Sequence, residues 1–231
     1  MKNVFITGTN RGLGLELVRQ YLKNGRKVFA TCRDKRVASE LVSLQKESDG
    51  MLEILDLNLF SDDSINKLSE MLSDSPIDLF VNNAGMMGPR NLRLGGVNGG
   101  SWAEVFRVNT IAPLLIVQNL LENISSGKEK KMIFISSRVG SIEENSGGAM
   151  YAYRSSKTAL NQVVKSLSID LLDRGLTSVA LHPGWVLTDM GGPNALIDVE
   201  TSVAGMISVI NDICNSDNGK FFNYDGSMIR W

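Results

Sequence analysis

Histidine is almost absent from this chain of 231 residues, which contains only His182. A Ser-His-Asp hydrolase would have to use that residue, yet no G-x-S-x-G nucleophile elbow occurs anywhere. A catalytic zinc site with several histidine ligands cannot be assembled, so no metal is predicted. The chain also lacks a Walker motif with GK[ST], which argues against an NTPase.

Cysteine, net charge and long apolar runs are scarce as well. Cys32 and Cys214 show no paired spacing, which is typical of free thiols in a reducing compartment. The net charge is -1 without a basic stripe, so a nucleic-acid partner is not expected. The longest apolar stretches, such as 111–117, are too short to cross a bilayer, and no signal segment is visible. These features predict a cytoplasmic protein with no membrane partner.

Short apolar runs alternate with longer stretches of helical periodicity. The apolar runs predict buried strands at 4–7, 27–31, 52–57, 78–81, 132–136 and 178–181. The helical stretches are 12–23, 35–47, 61–73, 101–124, 150–173 and 197–213. Strands alternating with helices favour right-handed βαβ units. We therefore predict an α/β fold in one domain over 1–231, a single Rossmann-type doubly wound parallel sheet with helices on both faces.

Polar residues indicate where several predicted helices begin. Ser61 and Asp34 are expected N-caps, and Ser101 with Glu104 fits a capping box.

The first predicted strand runs into a glycine-rich turn. Gly8, Gly12 and Gly14 follow Thr7 with the spacing G-x-x-x-G-x-G. Small residues let the backbone approach a pyrophosphate, and the following helix offers its N-terminal N–H groups. An ordinary tight turn is the alternative, because this spacing differs from the general G-x-G-x-x-G.

The end of the second predicted strand bears on the type of coenzyme. An NAD site usually has an acidic residue there, whereas arginine accommodates a 2′-phosphate. Here Cys32 and Arg33 come first, and Arg11 lies in the glycine-rich turn. Two guanidinium groups can hold a phosphate, so the pair favours NADP(H), although two solvated surface arginines remain the alternative.

Tyr153 and Lys157 lie four residues apart in a predicted helix. They therefore share one helix face, where a cation is expected to lower the pKa of the phenol. Most tyrosine–lysine pairs with this spacing lie on the surface of a helix. Beside a bound dinucleotide, however, Tyr153 would supply an acid whose pKa is adjusted by Lys157.

Several motifs in this order resemble the short-chain dehydrogenase/reductase family over nearly the whole chain. They are TGTNRGLG at 7–14, LDL at 55–57, NNAG at 82–85, Asn109, ISSRVG at 135–140, YRSSK at 153–157 and HPGWVLTDM at 182–190. The segments around 141–162 and 219–231 are similar to the sniffer-type and C-factor-like carbonyl reductases within that family.

The resemblance implies a role for each matching position. Tyr153 would protonate the substrate oxygen, Ser137 would hydrogen-bond the carbonyl, and Lys157 would lower the pKa of Tyr153 and hold the nicotinamide ribose. Asn109 would hold a water that links Lys157 to solvent. The implied coenzyme contacts are Gly8, Arg11, Gly12, Leu13, Gly14, Arg33, Asp56, Leu57, Asn83, Ala84, Gly85, Tyr153, Lys157, Pro183, Gly184 and Thr188.

Ser136 competes with Ser137 for the serine role. The family pattern places the serine three residues before a glycine, and Ser137 precedes Gly140 by that interval. The interval from Ser137 to Tyr153 is longer than is usual in the family. We expect an insertion around 143–148 that reshapes one wall of the substrate cleft.

These features predict an NADPH-dependent reductase of small carbonyl compounds, such as aldehydes, ketones or quinones. The alternative is a catalytically silent NADP(H)-sensing regulatory protein on the same fold. The retention of Tyr153, Lys157, Ser137 and Asn109 favours the enzyme. The resemblance also implies a homodimer or homotetramer that pairs through the long helices near 101–124 and 150–173.

Overall fold

A parallel seven-stranded sheet forms the centre of the described chain. The structure is a computed structural model that describes residues 2–73, 75–90 and 93–231. The strands are β1 Asn3–Ile6, β2 Lys27–Cys32, β3 Leu52–Asp56, β4 Leu79–Asn82, β5 Lys131–Ile135, β6 Thr177–His182 and β7 Phe221–Asn223. Their order across the sheet is β3-β2-β1-β4-β5-β6-β7, and every pair is parallel. The predicted Rossmann-type sheet is therefore confirmed.

Helices cover the two faces of the sheet. In chain order they are α1 Gly12–Lys23, α2 Ser39–Glu47, α3 Asp62–Asn66, α4 Leu68–Leu72, α5 Gly99–Phe106, α6 Ala112–Asn119, α7 Leu121–Ser125, α8 Tyr151–Asp170 and α9 Val199–Asp212. A π-helical turn, Arg107–Ile111, joins α5 to α6. In the part of the chain that the structure describes, no helix is both long and apolar enough to span a membrane.

Alternate residues of each strand belong to two separate hydrophobic cores. On β1, Val4 and Ile6 pack with α1, α2 and α9, whereas Phe5 faces the layer that contains α8. The second core holds a row of aromatic rings across neighbouring strands. Phe5 and Phe80 stack with their ring centroids 5.8 Å apart, and Phe134 lies 5.7 Å from Phe80. Because both faces of the sheet are buried, consecutive residues of these strands are apolar.

The chain reverses its winding direction between β1 and β4. The next strand after β1 lies on one side of it, whereas β4 lies on the other. In open α/β sheets a crevice forms outside the carboxyl ends of strands at such a switch point, and ligands bind there. The segments that follow β1 and β4 are the predicted glycine-rich turn and the NNAG motif.

Several expectations about the elements need correction. The predicted helices 35–47 and 61–73 are each divided, at Ala38 and at Lys67. The capping box of Ser101 and Glu104 is wrong, because the side chain of Asn98 accepts the N–H of Ser101 at 3.0 Å and α5 begins at Gly99. The single long helix at 101–124 is divided by the π-helical turn. Strand β7 was not predicted, because three residues are too few to show a pattern. Ser61 and Asp34 do cap the turns that follow them.

Candidate active site

A cavity of about 580 Å³ opens at the carboxyl ends of the strands. Its walls come from segments that follow β1, β4, β5 and β6, together with the start of α8. Most of the lining is apolar, including Leu13, Met87, Val139, Trp185 and Met190. An apolar cleft with a few polar groups at a switch point is the usual form of a small-molecule site.

The glycine-rich turn is packed too tightly for side chains. Gly8 has φ +70, and a Cβ there would lie 2.8 Å from the Cα of Ala84. A Cβ on Gly14 would lie 2.1 Å from the carbonyl oxygen of Gly8. The side chain of Asn83 donates to the carbonyls of Thr7 and Gly8, each at 3.0 Å. These contacts hold the turn against the start of α1.

The start of α1 has the properties of an anion site. Arg11 occupies the N-cap position, and its side chain makes no capping hydrogen bond. The first N–H groups of the helix therefore have no side-chain acceptor at the cap, and the positive end of the helix dipole adds to their attraction for phosphate. This arrangement fits the dinucleotide that the sequence predicts.

The two arginines expected at a 2′-phosphate differ in their surroundings. Arg33 is exposed directly after β2. Arg11 forms an ion pair with Asp189, which lies 178 positions later in the loop after β6. At the end of β3, Asp56 accepts the N–H of Lys35 at 2.8 Å. The ion pair between Arg11 and Asp189 was not predicted, because sequence spacing carries no signal for so distant a contact.

Tyr153 and Lys157 project from the first turns of α8 and are both buried. The ammonium nitrogen of Lys157 lies 5.9 Å from the Tyr153 ring centroid and donates to the carbonyl of Ile135 at 2.8 Å. Burial lowers the pKa of Lys157 to about 8. The Oη of Tyr153 is 4.0 Å from the Sδ of Met190 on the cavity wall.

Burial also raises the pKa of Tyr153 to about 12, and a hydrogen bond with Ser137 opposes the rise. The net shift of the Tyr153 pKa is therefore upward, whereas a downward one was expected from the sequence; the lowering influence of Lys157 stays a prediction. The cost of desolvating the phenolate outweighs the influence of a cation one helical turn away. A tyrosine in this state keeps its proton at neutral pH.

The two neighbouring serines after β5 have different environments. The hydroxyl of Ser136 donates to the Oδ1 of Asn161 at 2.6 Å, and both groups are buried. Both serines line the cavity, and Ser137 has extended backbone. Because the Ser136 proton is engaged, the geometry favours Ser137 as the serine that meets a substrate.

Asn161 was missed by the sequence reasoning, although it follows Lys157 by four residues on the same helix face. Its amide nitrogen donates to the carbonyl of Gly140 at 3.3 Å, and the hydroxyl of Thr158 donates to the same oxygen at 2.8 Å. A Cβ on Gly140 would lie 2.8 Å from the Cβ of Lys157. The serine segment is thus fastened directly to α8.

Asn109 lies in the π-helical turn and is fully buried. Its side chain donates to the carbonyl of Met86 at 2.8 Å and to the hydroxyl of Ser156 at 3.0 Å, and it accepts the N–H of Met86 at 2.8 Å. A Cβ on Gly85 would lie 3.4 Å from the Asn109 Oδ1 and 3.5 Å from the Lys157 Nζ. Gly85 therefore lies close to both side chains, while the water relay stays a prediction.

The loop after β6 approaches the glycine-rich turn. The hydroxyl of Ser202 donates a hydrogen bond to the carbonyl of Pro183 at 2.6 Å, and Gly184 has φ +86. The Oγ1 of Thr188 accepts the N–H of Gly191 at 3.1 Å. A Cβ on Gly12 would lie 3.6 Å from the Cγ2 of Thr188. Among the other predicted contacts, Leu13 lines the cavity and Leu57 is buried after β3.

The segment before α8 contributes Met150 to the wall of the cavity. Gly148, Ala149 and Met150 have φ values of 58, 52 and 48, so two side-chain-bearing residues adopt the left-handed conformation. Glu143 forms an ion pair with Arg230 at 2.5 Å, which ties the expected insertion to a later part of the chain.

The family model described as short chain dehydrogenase matches residues 2–195. The chain belongs to the short chain dehydrogenase family. The resemblance predicted from the motifs is confirmed, and the chain is an oxidoreductase of that family. No group of three or more His, Cys, Asp or Glu residues within the described ranges could hold a metal ion.

Individual relatives of this short chain dehydrogenase agree with that assignment. It is 41% identical to the C-signal protein of Myxococcus xanthus over 156 residues, which are 68% of this chain and 93% of the relative. The carbonyl reductase Sniffer of D. melanogaster superimposes with a TM-score of 0.93 at 37% identity, covering 100% of both chains. An NADPH-bound carbonyl reductase from chicken fatty liver gives 0.92 at 35% identity, covering 100% of this chain and 99% of the other.

Proposed function

We propose that this short chain dehydrogenase is an NADPH-dependent reductase of small carbonyl compounds, with Tyr153 as the general acid. The observation that carries the proposal is the placement of Tyr153. Its phenol is buried on the cavity wall and lies beside Ser137 and Lys157. A reductase needs a proton donor at that position, because hydride addition leaves negative charge on the carbonyl oxygen.

The coenzyme would lie along the glycine-rich turn and the switch-point crevice. The tight backbone at Gly8 and Gly14 and the uncapped start of α1 fit a pyrophosphate. Arg33 would meet a 2′-phosphate, and Lys157 would hold the nicotinamide ribose. When bound, the coenzyme supplies the hydride. A bound NADPH in the chicken fatty liver reductase supports this choice.

The side chains around Tyr153 divide the remaining tasks. Ser137 would donate a hydrogen bond to the carbonyl oxygen and hold it within reach of the phenol. Tyr153 would then transfer its proton to that oxygen. The ammonium of Lys157 would stabilise the phenolate that is left behind, and Asn109 would support the return of a proton. A regulatory sensor would need neither this buried pair nor a 580 Å³ cavity beside it.

We also propose that residues 1–231 form one domain and assemble into a homodimer or homotetramer through the helices near 101–124 and 150–173. Light scattering of the purified protein measures the assembly size.

The direct test is coenzyme oxidation in the presence of a panel of aldehydes, ketones and quinones. We expect NADPH to be consumed with several of these compounds, and faster than NADH. If the protein binds NADPH but consumes none of it with any carbonyl compound, the proposal fails and the regulatory alternative replaces it.

Replacing Arg33 by aspartate is expected to reverse coenzyme preference. The substitution removes a cation from the proposed 2′-phosphate site and supplies a carboxylate that can accept from ribose hydroxyls. We expect the ratio of kcat/KM for NADPH to that for NADH to fall at least roughly tenfold. Arg36→Asp is the matched control, because Arg36 already pairs with Asp34 at 2.8 Å. An unchanged ratio in Arg33→Asp would refute the phosphate role.

The pH dependence of reduction should follow Lys157 rather than Tyr153. The pKa of Lys157 is lowered to about 8, so its ammonium is lost first as pH rises, whereas Tyr153 keeps its proton to about 12. We expect kcat/KM for reduction to be constant near neutral pH and to fall above about pH 8. Lys157→Met should have low activity without this alkaline limb. A parent profile that stays level up to the pKa of an ordinary lysine would contradict the assignment.

A further inference from the structure

The charged residues of the cavity lining have one sign. Among the described residues that line it, Arg90 and Arg138 are the charged ones, and no aspartate or glutamate lies beside them on the wall. The rest of the lining is mainly apolar. An apolar cleft with guanidinium groups on its wall is suited to an apolar compound that carries an anionic group.

The two guanidinium groups are not equivalent. The Nε of Arg138 lies 3.5 Å from the carboxylate of Glu144, which compensates its charge. Arg90 instead donates through Nη2 to the backbone oxygens of Asp189 and Met190, which are neutral acceptors. The carboxylate of Asp189 is itself paired with Arg11. In the described part of the chain, Arg90 therefore keeps a charge that no carboxylate contacts directly.

Met190 contacts both Arg90 and Tyr153, the proposed acid. The backbone oxygen of Met190 is 3.4 Å from the Nη2 of Arg90, and its Sδ is 4.0 Å from the Oη of Tyr153. Arg90 and Tyr153 therefore lie no further apart than the length of one extended methionine and these two contacts. A substrate oxygen at Tyr153 could belong to a molecule whose far end meets Arg90.

We propose that Arg90 is a specificity-determining residue that binds a carboxylate of the substrate. This proposal rests on the proposed carbonyl reductase function and adds a substrate class to it. The preferred substrates are aldehydes or ketones with an apolar, ring-sized body and a carboxylate at the end opposite the carbonyl. The guanidinium would bind the carboxylate through charge-assisted hydrogen bonds and so place the carbonyl beside Tyr153.

The test uses matched acid and ester substrates. The probes are 4-formylbenzoate and 4′-formylbiphenyl-4-carboxylate, each beside its uncharged methyl ester. We expect the parent protein to have a higher kcat/KM for at least one acid than for its ester. Arg90→Met should lower kcat/KM for that acid roughly tenfold, mainly through KM, and leave the ester nearly unaffected. Arg90→Lys should restore part of the preference.

Arg93→Met is the matched control, because Arg93 is exposed in the same segment and does not line the cavity. It should behave as the parent. Equal losses for acid and ester in Arg90→Met would show that Arg90 only fastens the Asp189–Met190 backbone, and the proposal would be overturned. The same follows if the parent reduces the esters without any preference for the acids. Failure to reduce either member of each pair would count against the carbonyl reductase function itself.

Discussion

Replacing Tyr153 by phenylalanine is expected to lower kcat for carbonyl reduction roughly 10³-fold and to leave NADPH affinity nearly intact. The substitution removes only the hydroxyl that delivers the proton, and the ring keeps its place in the packed start of α8. An interaction made in the transition state affects kcat, whereas coenzyme binding in the ground state depends mainly on the other coenzyme contacts. Steady-state kinetics and a coenzyme fluorescence titration measure the two quantities separately.

Tyr21→Phe provides the control for loss of a buried phenol. The Tyr21 hydroxyl has no hydrogen-bond partner in the described part of the chain, and it lies in α1 away from the cavity lining. Its removal should leave kcat unchanged and stability equal or slightly higher, because a buried hydroxyl without a partner is unfavourable. A Tyr153→Phe protein that reduces carbonyl compounds at the parent rate would refute the assignment of the acid.

Replacing Gly14 by alanine is expected to cost about 3 kcal/mol of unfolding free energy and to raise the Kd for NADPH on the order of 100-fold. The added methyl group would lie 2.1 Å from the oxygen of Gly8 and 2.6 Å from the Nδ2 of Asn83. Gly8 belongs to the turn and Asn83 fastens it, so α1 must move away from both. That movement displaces the N–H groups proposed to meet the pyrophosphate.

Gly50→Ala separates this steric effect from the general cost of replacing a glycine. Gly50 has φ +79, and in the described part of the chain no atom of a non-neighbouring residue lies within 4 Å of the place that a Cβ would take. Only backbone strain of about 1 kcal/mol is therefore expected. Thermal unfolding and coenzyme titration of both variants test the difference. Gly14→Ala binding NADPH as tightly as the parent would mean that the turn does not approach the coenzyme.

The buried strands could be predicted from the sequence because a doubly covered sheet demands continuous apolar segments. Helix α1 occupies the predicted range 12–23, since Gly12 begins it and Gly25 follows its end. The π-helical turn around Asn109 could not be predicted, because its side chains continue an ordinary helical pattern. Asn98 was overlooked as a cap because Ser101 and Glu104 offered a more familiar signal.

Some features of the candidate site could be predicted from the sequence as well, and others could not. Spacing alone placed Tyr153 and Lys157 on one helix face, because both belong to a regular helix. Spacing could not reveal how deeply they are buried, and for that reason it did not predict that burial raises the pKa of Tyr153. The choice between Ser136 and Ser137 required coordinates, because it depends on the hydrogen bond to Asn161. The pairing of Arg11 with Asp189 depends on the tertiary fold in the same way.

The close contact of Gly140 with α8 has a consequence for evolution, because it keeps the proton-donating residues apart from the residues that select the substrate. Three of the residues proposed to act on the carbonyl, Ser137, Tyr153 and Lys157, belong to elements joined at this glycine. The residues that would recognise the rest of a substrate, such as Arg90 and Trp185, lie instead on loops outside that junction. Mutations can therefore alter which molecules are accepted while the proton-donating machinery is inherited unchanged, and laboratory selection for new substrates should begin on those loops.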